Sequence, residues 1–412
     1  MTERVQTDDV VKKCIEDVFA AIKPTDNDVN LRHEALHELK DCISSVETLR
    51  GAVVKPYGSF VSNLYAISGD LDMSVELWNN SNLPRESKTK EEKNVVLEII
   101  SRALESKGIS KYVHLIPSAR VPILQYVSRK VGISCDISID NLTGLTKSKV
   151  FYWINNLDGR FRDMVLLVKE WAKCQGINDA KDGTLNSYSL CLLVVFHFQR
   201  CKPAILPPLK EIYDVEHNEA YFDEERLDKV CKDNIKKFQS QDTWQRNESS
   251  LSHLLATFFQ RFSFIDTTSV ISTYEGRLKR IEDSPYPQRK SISDTLLVED
   301  PFERPLNAAR SVKADTIDRI STAFTHASSV FVLDGRVAHR DELLSLLCTP
   351  DVRKAVGVET AVVPYTNPAM KGFLQSVMQQ ELVKEKGHLH CSDDMPAMLR
   401  FLHIPGDVAE DD

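Results

Sequence analysis

The chain has 412 residues, a net charge of −8 and 42% hydrophobic residues, the profile of a soluble globular protein too long for one ordinary core. No apolar run approaches the roughly 18 to 20 residues of a membrane span, and the acidic segment Met1–Asp9 lacks the apolar stretch of a signal peptide, so a non-secreted protein of the cytoplasm or nucleus is expected. Nine cysteines without a CxxC pair suit reduced thiols, and the acidic balance argues against a grip on long duplex nucleic acid; an RNA would be held locally, at an end.

In chain order, helices are predicted over residues 8–23 and about 30–48, the second with Leu31, Leu36, Leu39, Ile43 and Val46 at helical spacing. Strand signals run from Ala52 to about Ile139, broken by a helix over Lys90–Ser106. Val121–Val127 reads as a strand with an early proline, and Ile133–Ile139 alternates polar with apolar residues. From Phe151 the pattern turns helical: Gly159–Cys174 stops at Gly176, and Asn186-Ser187 caps a helix through Gln199. Leu251–Phe262, Ala308–Ala327 and Asp341–Leu347 follow. Between them, Tyr274–Thr295 carries prolines, serines and a basic excess and reads as a surface loop. Residues 1–27 are expected to form an N-terminal helix that packs on the helical part. Residues 28–146 form the α/β unit, 147–350 the helical domain and 351–412 a C-terminal extension with an acidic, frayed end. The fold class is α+β.

The informative stretch is Pro56-Tyr57-Gly58-Ser59-Phe60 followed by Gly69-Asp70-Leu71-Asp72-Met73-Ser74-Val75-Glu76-Leu77. Leu71, Met73, Val75 and Leu77 share one strand face, and Asp70, Asp72, Ser74 and Glu76 take the other, which is expected to be exposed. Paired carboxylates repel unless a cation lies between them. A third acid, Asp136, lies on the polar face of its own strand; beside the first strand it would complete a set able to hold two divalent ions about 3.5 to 4 Å apart. Oxygen ligands with room for water and phosphate suit Mg²⁺, or Mn²⁺ in its place. Ser59 begins a short helix, Phe60–Tyr65, whose dipole favours phosphate. Farther on, His388, His390, Cys391 and His403 fit no standard zinc spacing, and a structural reading is preferred.

Gly58-Ser59 with Asp70, Asp72 and Asp136 resembles the catalytic core of the polymerase-β-type nucleotidyltransferases. Lys169-Glu170-Trp171-Ala172-Lys173, Gly183-Thr184-Leu185-Asn186-Ser187-Tyr188 and Val298-Glu299-Asp300-Pro301-Phe302-Glu303 are similar to segments of the noncanonical poly(A) polymerases and terminal uridylyltransferases. The nearest likeness is to plant enzymes that tail small RNAs, across about residues 15 to 350. The resemblance implies a polymerase-β-like domain, with a mixed sheet and flanking helices, joined to a mainly helical poly(A)-polymerase-associated domain, with the substrates in the cleft between them. It implies template-independent addition of uridines from UTP to an RNA 3′ end, with Asp70, Asp72 and Asp136 as catalytic metal ligands. Gly58, Ser59, Lys169, Lys173 and Ser187 would meet the triphosphate, Tyr188 the base by stacking, and Asp300, Glu303 and Asn307 the base edge. A small-RNA effector protein is an implied partner; a membrane is not.

Two positions depart from the family pattern. Leu306 stands where many uridylyltransferases have a histidine. Lys147 stands where many relatives have a ribose-contacting asparagine, and could instead meet phosphate. A terminal adenylyltransferase, a catalytically silent RNA-binding relative and a nucleotidyltransferase acting on another acceptor remain alternatives at this level.

Overall fold

A computed structural model describes residues 2–77, 88–110, 112–214, 223–242, 244–281, 295–331 and 339–358. The chain begins with helices α1 (Thr2–Ile22) and α2 (Asp26–Ser44). Thr25 starts α2 through a capping box: its backbone N–H donates to the Asp28 carboxylate at 2.8 Å, and its hydroxyl accepts from the Asp28 N–H. Next come β1 (Val53–Tyr57), the single turn α3 (Gly58–Val61), β2 (Leu71–Glu76), α4 (Lys90–Ser106), β3 (Val113–Ile116), β4 (Ile123–Val127) and β5 (Ser134–Ile139). The five strands make a mixed sheet in the order β1-β2-β5-β4-β3, with β2 and β5 parallel and the other pairs antiparallel. Leu71, Met73 and Val75 of β2 and Cys135, Ile137 and Ile139 of β5 bury their side chains with Leu39 of α2 and Leu97 and Ile100 of α4. Each such aliphatic side chain contributes about 1.5 to 3 kcal/mol by leaving water. That burial locks the strand register, because a one-residue slip would turn every apolar side chain outward.

The remainder holds α5 (Leu142–Leu157), α6 (Arg160–Cys174), α7 (Ser187–Gln199), α8 (Leu209–Ile212), α9 (Glu224–Gln239) and α10 (Leu251–Phe262). A small sheet of β6 (Ser269–Ser272), β7 (Arg277–Arg280) and β8 (Leu297–Val298) precedes α11 (Ile317–Phe331), α12 (Arg340–Leu347) and α13 (Pro350–Ala355). These helices enclose a second core. Trp171 packs between Phe259 and Phe324, with ring centroids 4.8 and 4.7 Å away. Helix α7 is apolar almost all round and buried along its length, the arrangement its Leu190–Phe196 run requires. Val11, Cys14, Ile15, Val18 and Ile22 of α1 belong to this second core rather than to the sheet's.

Several expectations need correction. The boundary drawn at 146/147 falls inside α5, and the one at 350/351 falls inside α13. Helix α11 begins at Ile317 rather than Ala308, because the Ala308 N–H is committed to the Val298 carbonyl at 2.8 Å and the Ala309 N–H to Asn307 Oδ1 at 2.9 Å. The basic loop over Tyr274–Thr295 contains strand β7, paired with β6; its residues 282–294 lie outside the described residues. The turn after Gly58 is shorter than the expected Phe60–Tyr65 helix. The zinc candidates and the extension from residue 359 onward also lie outside the described residues.

Candidate active site

Asp72 and Asp136 are partners in the parallel register of β2 and β5, which sets their backbones one strand spacing apart, about 4.8 Å. Asp70 immediately precedes β2 and is exposed, whereas Asp72 and Asp136 are half-buried. The polar face of β2 is not open along its length, contrary to expectation. Ser74 and Glu76 are 0% and 4% exposed. The Ser74 hydroxyl donates to Glu76 and accepts the Asn141 N–H at 2.9 Å, so the chain entering α5 roofs that half of the strand. Accessible carboxylates therefore remain at the Asp70–Asp72 end.

The Gly-Ser turn is packed onto this end. Gly58 has φ +71°, and a Cβ added there would lie 2.0 Å from Asp72 Oδ2, so glycine is required both by the left-handed backbone and by the close approach. The Gly58 N–H donates to Ser148 Oγ of α5 at 2.6 Å. The Ser59 N–H donates to the Asp72 carboxylate. Burial pushes the Asp72 carboxyl up to about 7, Asp136 and Asp70 push the same way, and Lys169 and the Ser59 N–H oppose them. Burial also raises Asp136, against a hydrogen bond from Gln125, whose Nε2 lies 3.1 Å from both carboxylate oxygens; Asp70 raises it further and Lys181 lowers it.

The donor set fits a hard divalent cation: three carboxylates gather at one sheet end, Asp136 and Asp70 raise Asp72 and Asp70 raises Asp136, a repulsion that a cation would relieve. Among the described residues, no three His, Cys, Asp or Glu side chains close into a complete metal cluster. The set is open, and substrate oxygens and water would have to supply further ligands.

Asp70 is positioned from behind by Arg32, a fully buried arginine of α2. Its Nη2 donates to the carbonyls of Ile67 and Gly69, at 3.0 and 2.5 Å, and its Nη1 donates to the Asp28 carbonyl at 3.0 Å. The guanidinium also lies 4.6 Å from the Tyr65 ring centroid. The turn that delivers Asp70 is thereby tied to the sheet-side core.

On the helical side, the Lys169 ammonium donates to the Leu64 carbonyl at 3.2 Å, is pushed below the ordinary lysine range mainly by burial, and is coupled to Asp72 and Asp70. Lys173, one turn on, is exposed. Ser187 opens α7 and donates to Asn178 Oδ1 at 3.3 Å, while the Asn186 side chain caps the helix by accepting the Ser189 N–H at 2.8 Å.

A second cluster surrounds Tyr188. Its hydroxyl donates to Asp300 Oδ1 at 3.0 Å, and Asp300 is 1% exposed. Glu303 receives Arg120 and Lys147, whose charges hold its carboxyl below the usual range against the opposing effect of burial. The Asn307 side chain is tied to backbone: its Oδ1 accepts from the Val298 and Ala309 N–H groups, and its Nδ2 donates to the Leu296 carbonyl. Lys147 is directed to Asp300 and Glu303 rather than toward the Gly-Ser turn.

This geometry agrees with what the chain is similar to. Residues 11–156 match the family model for the poly(A) RNA polymerase, mitochondrial-like, central palm domain. Protein HESO1 of Arabidopsis thaliana is 44% identical over 353 residues, covering 83% of this chain and 67% of that protein. The chain belongs to the noncanonical poly(A) polymerase and terminal uridylyltransferase family. Among solved structures, the Cid1 poly(U) polymerase superposes with a TM-score of 0.65 at 25% identity, over 82% of this chain and 98% of that one. The mtPAP structure solved with UTP superposes at 0.66 and 20% identity over 83% and 75%, a likeness of fold. Other curated relatives are matched over 17% to 60% of their own length.

For this uridylyltransferase-family chain, the fold gathers Gly58, Ser59, Asp70, Asp72, Asp136 and Lys169 at one place and Tyr188, Asp300 and Glu303 at another. Arg32, Gln125, Ser148 and Lys181 went unnoticed in the sequence. Arg32 left a signal: a lone arginine one turn before Leu36, on the apolar face of a helix.

Proposed function

We propose that this chain is an RNA 3′-terminal nucleotidyltransferase that transfers uridylyl groups from UTP to an RNA 3′-hydroxyl without a template and releases pyrophosphate. The observation that carries the proposal is the register that sets Asp72 against Asp136, with Asp70 beside them and the Gly58-Ser59 turn packed on top. Asp70, Asp72 and Asp136 would hold Mg²⁺ or Mn²⁺, which when bound neutralises triphosphate charge and makes the 3′-hydroxyl a better nucleophile. The protein's own contribution is position. Ser59 and Gln125 orient the carboxylates, and Arg32 fixes the turn that presents Asp70. Lys169, Lys173 and Ser187 supply positive charge and a hydroxyl to the triphosphate. Tyr188 gives the base a stacking face, and Asn307 shapes the recognition loop through its backbone contacts rather than by touching the nucleotide. Lodging the nucleotide between the sheet-side and helical cores would let both contribute, and catalysis would rest on alignment and charge.

Uridine is favoured over adenosine by the likeness to the Cid1 poly(U) polymerase, which spans nearly all of that chain. Adenylyl transfer is the second reading, favoured by relatives named poly(A) RNA polymerases. No described helix is long and apolar enough to cross a membrane. RNA is the macromolecular partner in the proposal, together with a small-RNA effector protein that delivers it. The test incubates labelled RNA with Mg²⁺ or Mn²⁺ and each NTP separately, beside Asp70→Ala/Asp72→Ala. Extension by UTP that the double substitution abolishes is expected. No extension with any NTP would refute transfer, and extension that survives the substitution would refute the assigned site.

A further inference from the structure

Lys147 holds a place that the proposed transfer reaction leaves unused. Its ammonium donates to Asp300 Oδ2 and to Glu303 Oε2, each at 2.7 Å, and lies 4.6 Å from the centroid of the Tyr188 ring. The two carboxylates are themselves fixed. Asp300 accepts the Tyr188 hydroxyl and the Phe302 N–H on its other oxygen, both at 3.0 Å, and Arg120 reaches Glu303 from the connection between β3 and β4. The Lys147 side chain is 18% exposed, neither sealed in nor free in solvent.

We infer that Lys147 reads the nucleobase, accepting a ring that presents a carbonyl oxygen to it and rejecting one that presents an amino group. The inference rests on the proposal that a nucleotide's base stacks on Tyr188. An ammonium has three N–H donors and no lone pair. Asp300 and Glu303 take two, which leaves one aimed elsewhere. A base and an ammonium cannot both cover the same ring face. The base therefore pushes the ammonium toward its own edge, while the two carboxylates keep it within reach. Uracil presents a carbonyl on each side of its N–H, and the Glu303 carboxylate beside Lys147 is a matching acceptor for that N–H. Cytosine and adenine carry an amino group where uracil and guanine carry a carbonyl, and two donors facing each other repel. The Leu306 side chain has no hydrogen-bonding atom and is 39% exposed, so a donor for this purpose must come from elsewhere, and Lys147 supplies it. Lys147 by itself separates amino-bearing from carbonyl-bearing rings; it does not separate uracil from guanine.

The experiment measures equilibrium binding of UTP, CTP and ATP by calorimetry, together with kcat/KM for RNA extension by each. The proteins are the full chain, Lys147→Gln and Lys147→Arg, with the melting temperature of each recorded. The expected result is that the unaltered chain favours UTP over CTP by about tenfold or more, as a charge-assisted hydrogen bond allows. In Lys147→Gln that ratio should fall to within about threefold, because an amide can rotate to offer either a donor or an acceptor. Lys147→Arg, again a donor only, should keep the preference. Three results overturn the inference: no discrimination in the unaltered chain, an unchanged ratio in Lys147→Gln, or an equal loss for all three nucleotides. The ratio in the unaltered chain and that in Lys147→Arg decide the matter even if Lys147→Gln folds poorly. Selective binding without RNA extension would count against the transfer proposal while leaving the reading of Lys147 supported.

Discussion

Replacing Gly58 by alanine adds one methyl group where backbone and carboxylate approach most closely. The φ of +71° costs a residue with a side chain about 1 to 2 kcal/mol. The new Cβ would also lie 2.0 Å from Asp72 Oδ2 and 2.8 Å from its Cγ, so either the carboxylate turns away or the turn retreats from Ser148. A displacement of about 1 Å at a positioned group can cost about 100-fold in rate, and this one falls on a residue that would hold the metal. The assay is single-turnover extension of labelled RNA at saturating UTP and Mg²⁺, with stability measured by urea denaturation. Gly58→Ala is expected to lose at least about 100-fold in rate while remaining folded. Gly108→Ala supplies the control: Gly108 has φ +69°, but its Cβ would meet nothing within 4 Å. It should lose stability by about the same backbone strain and keep its rate. If Gly58→Ala turned over within about threefold of the unaltered chain, a misfit worth about 100-fold would be absent, and the packing of the Gly-Ser turn on Asp72 could not be what positions the site.

A raised Asp72 carboxyl makes protons compete with metal. The stabilisation that protonation gives the metal-free fold is full below the ordinary value of 3.8 and is lost as pH rises through about 7. Metal affinity should therefore weaken as pH falls from 8 to 6, with the Mg²⁺ requirement for RNA extension climbing toward about tenfold per unit at the acid end; a flat requirement would refute the shift. Arg32→Met removes the donors to the Ile67 and Gly69 carbonyls. It should cost about 3 kcal/mol in urea denaturation and raise the Mg²⁺ requirement as well, whereas a loss of stability alone would make Arg32 a core residue without a positioning role.

What could be read from the sequence depended on the length and regularity of each pattern. Lys90–Ser106 and Leu251–Phe262 are helices with the bounds their periodicity gives, because each carries a full apolar stripe and a cap residue just before it. Asp72 and Asp136 could be paired because alternation names the face on which each lies. Alternation does not say what covers that face, so Ser74 and Glu76 were expected in solvent although the loop into α5 roofs them. Strands β6 to β8 are two to four residues long, too short for a periodic signal, and are held by pairing with distant segments. Helix α9 could have been found: Leu227, Cys231 and Ile235 recur every fourth residue and are all buried. Arg32 shows the deeper limit, since its partners are carbonyl oxygens, which the side-chain sequence does not name.

The site divides into parts held by different means, and α5 joins them. Asp72 and Asp136 stand on paired strands, so backbone register fixes them, and the turn held by Arg32 presents Asp70 beside them. The segment from Glu299 to Asn307 is irregular and needs side chains to hold it. Glu299 is fully buried and binds Lys279, Arg304 and the Ser272 hydroxyl, while the Asn307 amide is spent on three backbone groups. A loop braced at its two ends can change the side chains between them, Leu306 beside the Asn307 brace included, without moving the strands where the chemistry would occur. Helix α5 is where these parts meet. Its consecutive residues Lys147 and Ser148, about 100° apart around the helix axis, face different ways: Ser148 accepts the Gly58 N–H, and Lys147 grips Asp300 and Glu303. A rotation of α5 that drew Lys147 toward a bound base would move Ser148 against the turn that packs on Asp72. Base choice at residue 147 and carboxylate geometry at residue 58 are thus coupled through one turn of helix, and substitutions at the two positions should fail to add.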